Sequence, residues 1–264
     1  MPEGDTLQRA AKALAIILND QVVTEVWFRK LRGHRPRSGQ RVQRVYAAGK
    51  HLLIEFDRNL TLDTHLGMSG YWRTTPASAP PPAHPALRVR VSTALGTALC
   101  FGAPTIQTFV RGIDPSPIAT LGPDLSNDIV DIDDVIRRSR RANGERTLAD
   151  LLLDQTVACG VGNVFKSEAL FLARLHPFKI VQRVNDDDLR RMWTTAHRQL
   201  AFNRERTSRL TTERGDAGRT YVYGRHRLGC RRCDNAIEFS PAGKVTPRSS
   251  YWCPTCQPSS APPL

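Results

Sequence analysis

Two residues at the very start of the chain could carry out covalent chemistry. Removal of Met1 would leave Pro2 with a free secondary amine. An α-amine with a pKa of roughly 7.7–8.0 is partly neutral and nucleophilic near pH 7. Such an amine can condense with a sugar aldehyde carbon to form an iminium, and the adjacent carboxylate of Glu3 can transfer protons at the same centre. Many chains begin Met-Pro and make no use of it, so these residues need support from the rest of the sequence.

Two matched pairs of cysteines near the end of the chain predict a metal site. The pattern is Cys-x2-Cys, 19 residues and Cys-x2-Cys, formed by Cys230, Cys233, Cys253 and Cys256. Four thiolates leave no open coordination position, so the pattern predicts one structural Zn²⁺ rather than a catalytic metal. A redox dithiol is the alternative, but it needs only one pair. The other two cysteines stand alone, and this usage fits metal ligation in a reducing cytosol better than a disulfide framework.

Three side chains occur where a turn could bring them to a phosphate group. Lys50 lies in a Gly-Lys-His turn, Asn163 follows a glycine turn at the start of a predicted helix, and Arg248 lies in the cysteine finger. Glycine lets a backbone approach a phosphate closely, and a helix N-terminus attracts anions. The planar guanidinium group of arginine can donate two parallel hydrogen bonds to one phosphate. The alternatives are an ordinary solvated lysine or arginine and, for Asn163, an ordinary corner between two helices.

One large apolar side chain, Met68, lies on a glycine loop at 65–70. A methionine in such a loop more often folds back into the core. The other interpretation is an apolar wedge that enters a stack of nucleic-acid bases. Both interpretations stay open from the residues alone.

The elements that must position these residues change type along the chain. A first helix, capped by Asp5 or Thr6, carries apolar residues at helical spacing. Short β-rich runs follow at 22–28, 42–46, 52–56, 60–64, 87–92 and 106–110. This pattern is typical of a β-sandwich or barrel with one leading helix.

The second half is helical and ends in a small finger. Helices are expected at 129–141, 147–158, 164–174 and 185–200, and two short strands are expected between the cysteine pairs, around Gly243. The fold class is therefore multidomain α+β. We divide the chain into a β-sandwich domain at 1–117, a linker at 118–128, a helical domain at 129–222, a zinc finger at 223–258 and a disordered tail at 259–264.

The composition narrows the class of partner. Lys and Arg number 38 against 25 Asp and Glu, which gives a formal net charge of +13 and favours a polyanionic partner over an ordinary solvated basic surface. No apolar run approaches the ~20 residues that span a membrane, and the start lacks a secretion signal. We therefore expect a cytoplasmic monomer without a membrane partner.

Taken in order, these motifs resemble the Fpg/Nei family of DNA glycosylases with lyase activity. The resemblance covers nearly the whole chain and rests on Pro2-Glu3-Gly4, Gly49-Lys50-His51-Leu52, His65-Leu66-Gly67-Met68-Ser69-Gly70, Leu153-Asp154-Gln155 with Gly160-Val161-Gly162-Asn163, Tyr223-Gly224-Arg225 and the cysteine hairpin. It implies an N-terminal β-sandwich, a helix–two-turn–helix domain and a C-terminal zinc-ribbon hairpin, with damaged double-stranded or single-stranded DNA bound between the domains.

The resemblance also implies a role for each candidate residue. Pro2 would attack the sugar carbon of the damaged nucleotide, and Glu3 would protonate the sugar ring oxygen. Lys50, counted with both the catalytic and the DNA-binding residues, would hold a phosphate together with Asn163 and Arg248. The wedge would comprise Met68 and, from the Fpg branch, Phe101 before Gly102-Ala103.

The chain departs from the family pattern in three places, and the last two favour the Nei branch. Asp5-Thr6 replaces the usual Pro-Glu, Leu99 stands where the Fpg branch has a wedge arginine, and 204–220 lacks a long glycine-rich loop. The resulting prediction is a bifunctional DNA glycosylase and abasic-site lyase of base excision repair, acting on oxidised pyrimidines, localised with the nucleoid through its DNA. The alternatives are a non-catalytic damage or single-strand sensor and a zinc-ribbon module of transcription or RNA metabolism.

Overall fold

The computed structural model describes residues 1–80, 83–212, 218–242 and 248–259. They form two compact units, Met1–Thr120 and Leu121–Leu264. None of the helices within the described ranges is long and apolar enough to cross a membrane.

The first unit is an antiparallel β-sandwich with one leading helix, which confirms the predicted fold class. Its elements are α1 (Gly4–Leu18), β1 (Glu25–Phe28), β2 (Val42–Ala48), β3 (His51–Phe56), β4 (Leu60–His65), β5 (Tyr71–Thr75), β6 (Leu87–Ser92), β7 (Thr97–Phe101) and β8 (Thr105–Val110). One sheet has the order β1-β6-β7-β5 and the other β2-β3-β4-β8. The apolar face of α1 and the inner faces of the sheets share one core.

Strands β5 and β7 of this unit were not predicted from the sequence. Strand β5 lies mostly at the surface and lacks the alternation of a half-buried strand, whereas every residue of the central β7 is buried. Strand β6 alternates buried and half-buried residues along its length and has the bounds that the sequence predicted. Helix α1 begins at Gly4, so Glu3 rather than Asp5 or Thr6 is its N-cap residue.

The second unit is helical and carries a hairpin near the end of the chain. It contains α2 (Ile132–Arg141), α3 (Leu148–Leu153), α4 (Asn163–Leu172), a short 3₁₀ helix (Val181–Arg183), α5 (Asp186–Arg204), β9 (Glu238–Ala242) and β10 (Arg248–Trp252). The buried Trp193 and Phe165 are among the largest side chains of its core. The predicted turn at Gly243 and residues 260–264 of the predicted tail lie outside the described residues.

Helix α3 is shorter than predicted, because a side chain ends it. It stops at Leu153, where the carboxylate of Asp154 accepts a hydrogen bond from the backbone N–H of Thr156 (2.9 Å) and turns the chain. Two predicted capping residues of this unit are confirmed: Thr147 caps α3 and Asn185 caps α5 through their side-chain oxygens.

The hairpin is packed firmly on helix α4. Ile237 of the hairpin shares a small apolar cluster with Phe171 and Val222, and the buried Gln257 donates from Nε2 to the Leu175 carbonyl at 2.8 Å. Towards the start of this unit, Leu125 is buried in the helical core. The linker at 118–128 and the other domain limits stay predictions.

Candidate active site and metal centre

The two residues with nucleophile and acid chemistry directly precede the first helical turn. The Glu3 side chain is fully buried, and the Glu3 carbonyl accepts from the backbone N–H groups of Thr6 (2.8 Å) and Leu7 (3.2 Å). Pro2 is half-buried one residue earlier. The partial positive charge of a helix N-terminus favours anions here.

The carboxylate that follows in the chain is held inside the fold. Asp5 is fully buried, forms an ion pair with Arg9 at 3.1 Å and accepts from the Thr6 hydroxyl at 3.1 Å. Thr6 stands where the resemblance implies a second carboxylate, and the buried Asp5 lies one residue earlier, with its charge compensated by Arg9.

Lys50 lies in a two-residue turn that joins β2 to β3. The pair Ala48–His51 closes the turn, and Gly49 has a φ of +58°, which suits glycine at the first turn position. Helix α1 packs against both of these strands. Lys50 and the Pro2-Glu3 segment are therefore placed by the same layer of the sandwich.

A buried polar network supports this turn. His51 Nδ1 lies 2.9 Å from Asp63 Oδ1, and Gln107 donates to the other Asp63 oxygen at 2.9 Å. The ring of His65 meets the His51 ring edge-on at 5.3 Å between centroids. Burial first, and the positive charges of His51 and Lys50 second, lower the pKa of His65 below its ordinary value.

Met68 points to solvent, which removes the interpretation that it folds back into the core. Its side chain is 64% exposed, while Leu66 in the same loop is buried. The loop is closed by the Gly70 N–H donating to the Leu66 carbonyl at 2.9 Å. A Cβ at Gly70 would lie 2.4 Å from that carbonyl oxygen, so the loop requires glycine there.

Phe101, by contrast, is covered. Its ring is only 4% exposed and stacks on Tyr71, with 5.0 Å between centroids and 18° between planes. Tyr71 is 48% exposed, so it presents the aromatic surface at this position. A DNA contact by Phe101 stays a prediction that requires Tyr71 to move.

Leu99 is part of the core rather than of the surface. It is 1% exposed and packs with Leu87 and Phe101. An arginine there would bury its charge, so in this fold the position serves apolar packing.

The structure brings Asn163 and Arg248 close together in the second unit. Asn163 begins α4, and its Nδ2 donates to the hydroxyl of Ser249 at 2.7 Å, next to Arg248 at the start of β10. The turn before α4 is fixed by Gln155, which accepts from the Gly160 N–H at 3.1 Å. Gly160 has a φ of +100°.

The four cysteines of the hairpin also come together. Their Sγ atoms all lie within 4.8 Å of one another, and three of the separations are 3.8, 3.4 and 3.6 Å. A tetrahedral site with Zn–S bonds of about 2.3 Å sets its sulfurs about 3.8 Å apart. The cluster therefore fits a tetrahedral metal ion.

Comparison with known proteins gives a consistent result. Residues 1–113 match the formamidopyrimidine-DNA glycosylase N-terminal domain, and residues 121–211 match the H2TH domain of formamidopyrimidine-DNA glycosylase. A probable endonuclease 8 2 of Streptomyces coelicolor is 36% identical over 99% of this chain and 96% of its own length. The chain belongs to the Fpg/Nei family.

Two further relatives support the placement of this Fpg/Nei-family chain. The DNA-(apurinic or apyrimidinic site) lyase Nei2 of Mycolicibacterium smegmatis is 35% identical over 98% of this chain and all of its own. The crystal structure of the MutM (Fpg) protein from Thermus thermophilus superposes with a TM-score of 0.82, at 27% identity, covering 98% of this chain and 100% of that one. The protein is thus Nei-like in sequence with an Fpg-like fold.

One buried carboxylate of this Fpg/Nei-family protein was not predicted from the sequence. Glu168 is fully buried and accepts from the Thr211 hydroxyl. It also accepts, at 2.8–2.9 Å, from three consecutive backbone N–H groups, those of Tyr221, Val222 and Tyr223. The carboxylate therefore fixes the Tyr-Gly-Arg segment to α4. The sequence around it gives little signal, because a glutamate in a helix is ordinarily exposed.

Proposed function

We propose that this chain is a bifunctional DNA glycosylase and abasic-site lyase of base excision repair, acting through an iminium at Pro2. The observation that carries the proposal is the Pro2-Glu3 pair, with Glu3 fully buried at the start of α1, in a chain 35–36% identical over nearly full length to an abasic-site lyase and an endonuclease 8. Removal of Met1 is a requirement, because an amide nitrogen is not a nucleophile.

The chemical steps use few groups. The neutral Pro2 nitrogen bonds to C1′ as the C1′–base bond breaks, and the base leaves with the bonding pair and takes up the proton that the Pro2 nitrogen loses. Glu3 protonates the ring oxygen, so the C1′–O bond opens and an iminium forms. Loss of a C2′ proton then breaks the C3′–O bond and cuts the strand. A base inside a duplex is out of reach, so the nucleotide must first be flipped out.

The remaining residues serve binding. Lys50, Asn163 and Arg248 hold phosphates, and Met68 fills the space of the flipped nucleotide. The four cysteines hold one Zn²⁺, which folds the hairpin beside Arg248 and takes no part in the chemistry. A cytoplasmic monomer remains the predicted state.

Oxidised pyrimidines are the proposed lesions. The apolar, buried Leu99 cannot supply the charged contact to the opposite base that an arginine would make. The lack of a long glycine-rich loop at 204–220 also favours this choice. Residues 213–217 of that segment lie outside the described residues. Duplexes carrying dihydrouracil or 8-oxoguanine, compared at equal enzyme concentration, test the choice: faster excision of 8-oxoguanine would contradict it.

Borohydride trapping on abasic-site DNA tests the whole proposal. Protein with a mass-verified free Pro2 should give a covalent adduct, and Pro2→Gly should lose most of it because a primary amine replaces the secondary one. A Met1-retained preparation is a second control: its only α-amine is the primary amine of Met1, one residue away from Pro2, so it should also lose most of the adduct. Absence of an adduct with verified free Pro2 would leave a non-catalytic DNA-binding protein.

A further inference from the structure

A lysine that the proposed chemistry does not use is buried beside the phosphate-binding residues. Lys166 lies on α4, three residues after Asn163, and its side chain is fully buried. Taking an ammonium group out of water is costly unless hydrogen bonds compensate it. An apolar side chain of similar length would fill the same space without that cost, so packing alone does not account for a lysine here.

The ammonium group connects two elements that are distant in sequence. Lys166 Nζ donates to Asn163 Oδ1 at 2.6 Å, to the Ser249 carbonyl at 2.8 Å and to the Ser250 hydroxyl at 3.0 Å. The first contact lies at the start of α4, and the other two lie on β10 directly after Arg248. The lysine therefore joins Asn163 to the strand that begins with Arg248.

These contacts also fix the orientation of the Asn163 amide. An ammonium group only donates, so the oxygen of the amide must face Lys166 and its nitrogen must face away. One N–H of that nitrogen goes to the Ser249 hydroxyl at 2.7 Å. The second N–H is the donor that a phosphate oxygen would take, and the cation behind the amide polarises it for that contact.

We propose that Lys166 is a positioning residue for a DNA phosphodiester: it sets the donor face of Asn163, fixes the spacing between Asn163 and Arg248, and adds a positive charge behind them. The inference rests on the proposed function in taking DNA as the ligand and Asn163 and Arg248 as its phosphate contacts. It requires no bond-making step, so it can be tested by binding alone.

The test is a double-mutant cycle on Lys166 and Asn163. Binding of a duplex with an uncleavable tetrahydrofuran abasic analogue is measured for wild type, Lys166→Met, Asn163→Ala and the double variant, at several salt concentrations. Lys166→Met should weaken binding about tenfold, as expected for one charge-assisted hydrogen bond. In the Asn163→Ala background, Lys166→Met should lower the affinity clearly less, because the amide that Lys166 orients is absent.

Salt dependence separates positioning from a merely structural role. If the charge of Lys166 acts on the phosphate, Lys166→Met should lower the slope of log affinity against log salt by up to about 1, whereas a loss of packing leaves the slope unchanged. Lys166→Arg should restore part of the affinity. Lys30→Met, which removes an exposed lysine of the first unit, is the control of equal charge change and should have a small effect on affinity.

Two results would overturn the inference. The first is that Lys166→Met lowers the affinity for DNA equally in the presence and absence of Asn163 and leaves the salt slope unchanged. The second is that Lys166→Met binds DNA with wild-type affinity. If Lys166→Met does not fold, Ser250→Ala, which removes one acceptor, replaces it in the same cycle and should show the same coupling on a smaller scale. If the wild-type protein binds this duplex but forms no iminium, the proposed function is contradicted. The binding measurements on Lys166 can still be interpreted in that case, because they do not depend on catalysis.

Discussion

Replacing Met68 by alanine separates lesion recognition from folding, because the side chain is exposed before DNA binds. Full burial of a methionine side chain is worth about 1.5–3 kcal/mol. The Met68 side chain is 64% exposed. Its entry into a base stack would therefore bury about two-thirds of its surface and contribute about 1–2 kcal/mol to the binding free energy. The expected loss of affinity in Met68→Ala is therefore about 5–30-fold. The free energy of unfolding should change by less than about 0.5 kcal/mol, as for other surface positions.

The assay compares two duplexes that differ only at one nucleotide. Fluorescence anisotropy gives the Kd for a duplex with a tetrahydrofuran abasic analogue and for the undamaged duplex. The loss should be confined to the first, since only there does a vacated space receive the side chain. Leu95→Ala, at an apolar residue 55% exposed between β6 and β7, is the matched control and should leave both Kd values unchanged.

Three results would each contradict part of the reasoning about Met68. An equal loss on both duplexes would mean that Met68 contributes to general DNA contact rather than to filling the lesion site. Unchanged affinity for the abasic duplex would mean that the loop does not enter the stack at all. A fall in Tm of the variant would show that the exposed side chain nevertheless supports the fold.

Three further outcomes are expected from the structure. Glu168→Ala should lower the free energy of unfolding in urea by about 3 kcal/mol or more, because three backbone N–H groups, one buried and two partly buried, lose their acceptor. Cys256→Ser should lower the zinc content from about one ion per chain, measured by a colorimetric chelator after unfolding, since the tetrahedral set loses a thiolate. The pKa of His65 is lowered in the folded protein, so the unfolded chain binds a proton first and stability should fall as the pH drops below about 6.5. His65→Gln should flatten that fall between pH 7.5 and 5, measured by urea unfolding.

Each of these has a control in the same chain. Glu168→Gln keeps the size and one acceptor oxygen, so it should destabilise less than alanine; an equal loss would argue against the hydrogen bonds as the cause. Cys100→Ser removes a buried cysteine of the sandwich and should keep the full zinc content. An unchanged pH slope in His65→Gln would assign the effect to other histidines, such as His176, whose pKa is also lowered by burial.

The parts of the fold that the sequence predicted well are those with a local pattern. Strand β6 alternates apolar and polar residues, and Thr147 and Asn185 precede their helices as capping residues. Strand β7 was missed because a strand buried on both faces has no alternation to detect. Its burial also decides the environment of Leu99, which no pattern along the chain reveals.

The candidate site divides in the same way. The spacing of the cysteines and the glycine turn before Asn163 are local signals, and the structure brings the four sulfurs together. The buried roles of Lys166 and Glu168 could not be predicted from the sequence, because a charged residue in a helix is ordinarily exposed to solvent. Their roles depend on Ser249 and Tyr221, which are more than 50 residues away in sequence.

The hydrogen bond between Asn163 and Ser249 has a consequence for how this chain can change over evolution. The two residues are 86 positions apart, yet their spacing is set by a contact of 2.7 Å and not by the length of chain between them. The entropy of closing a loop grows only slowly with its length. Insertions or deletions in the surface segments between these residues can therefore accumulate without altering the distance between Asn163 and Ser249. This leaves the intervening segments free to diverge among relatives that share one DNA geometry.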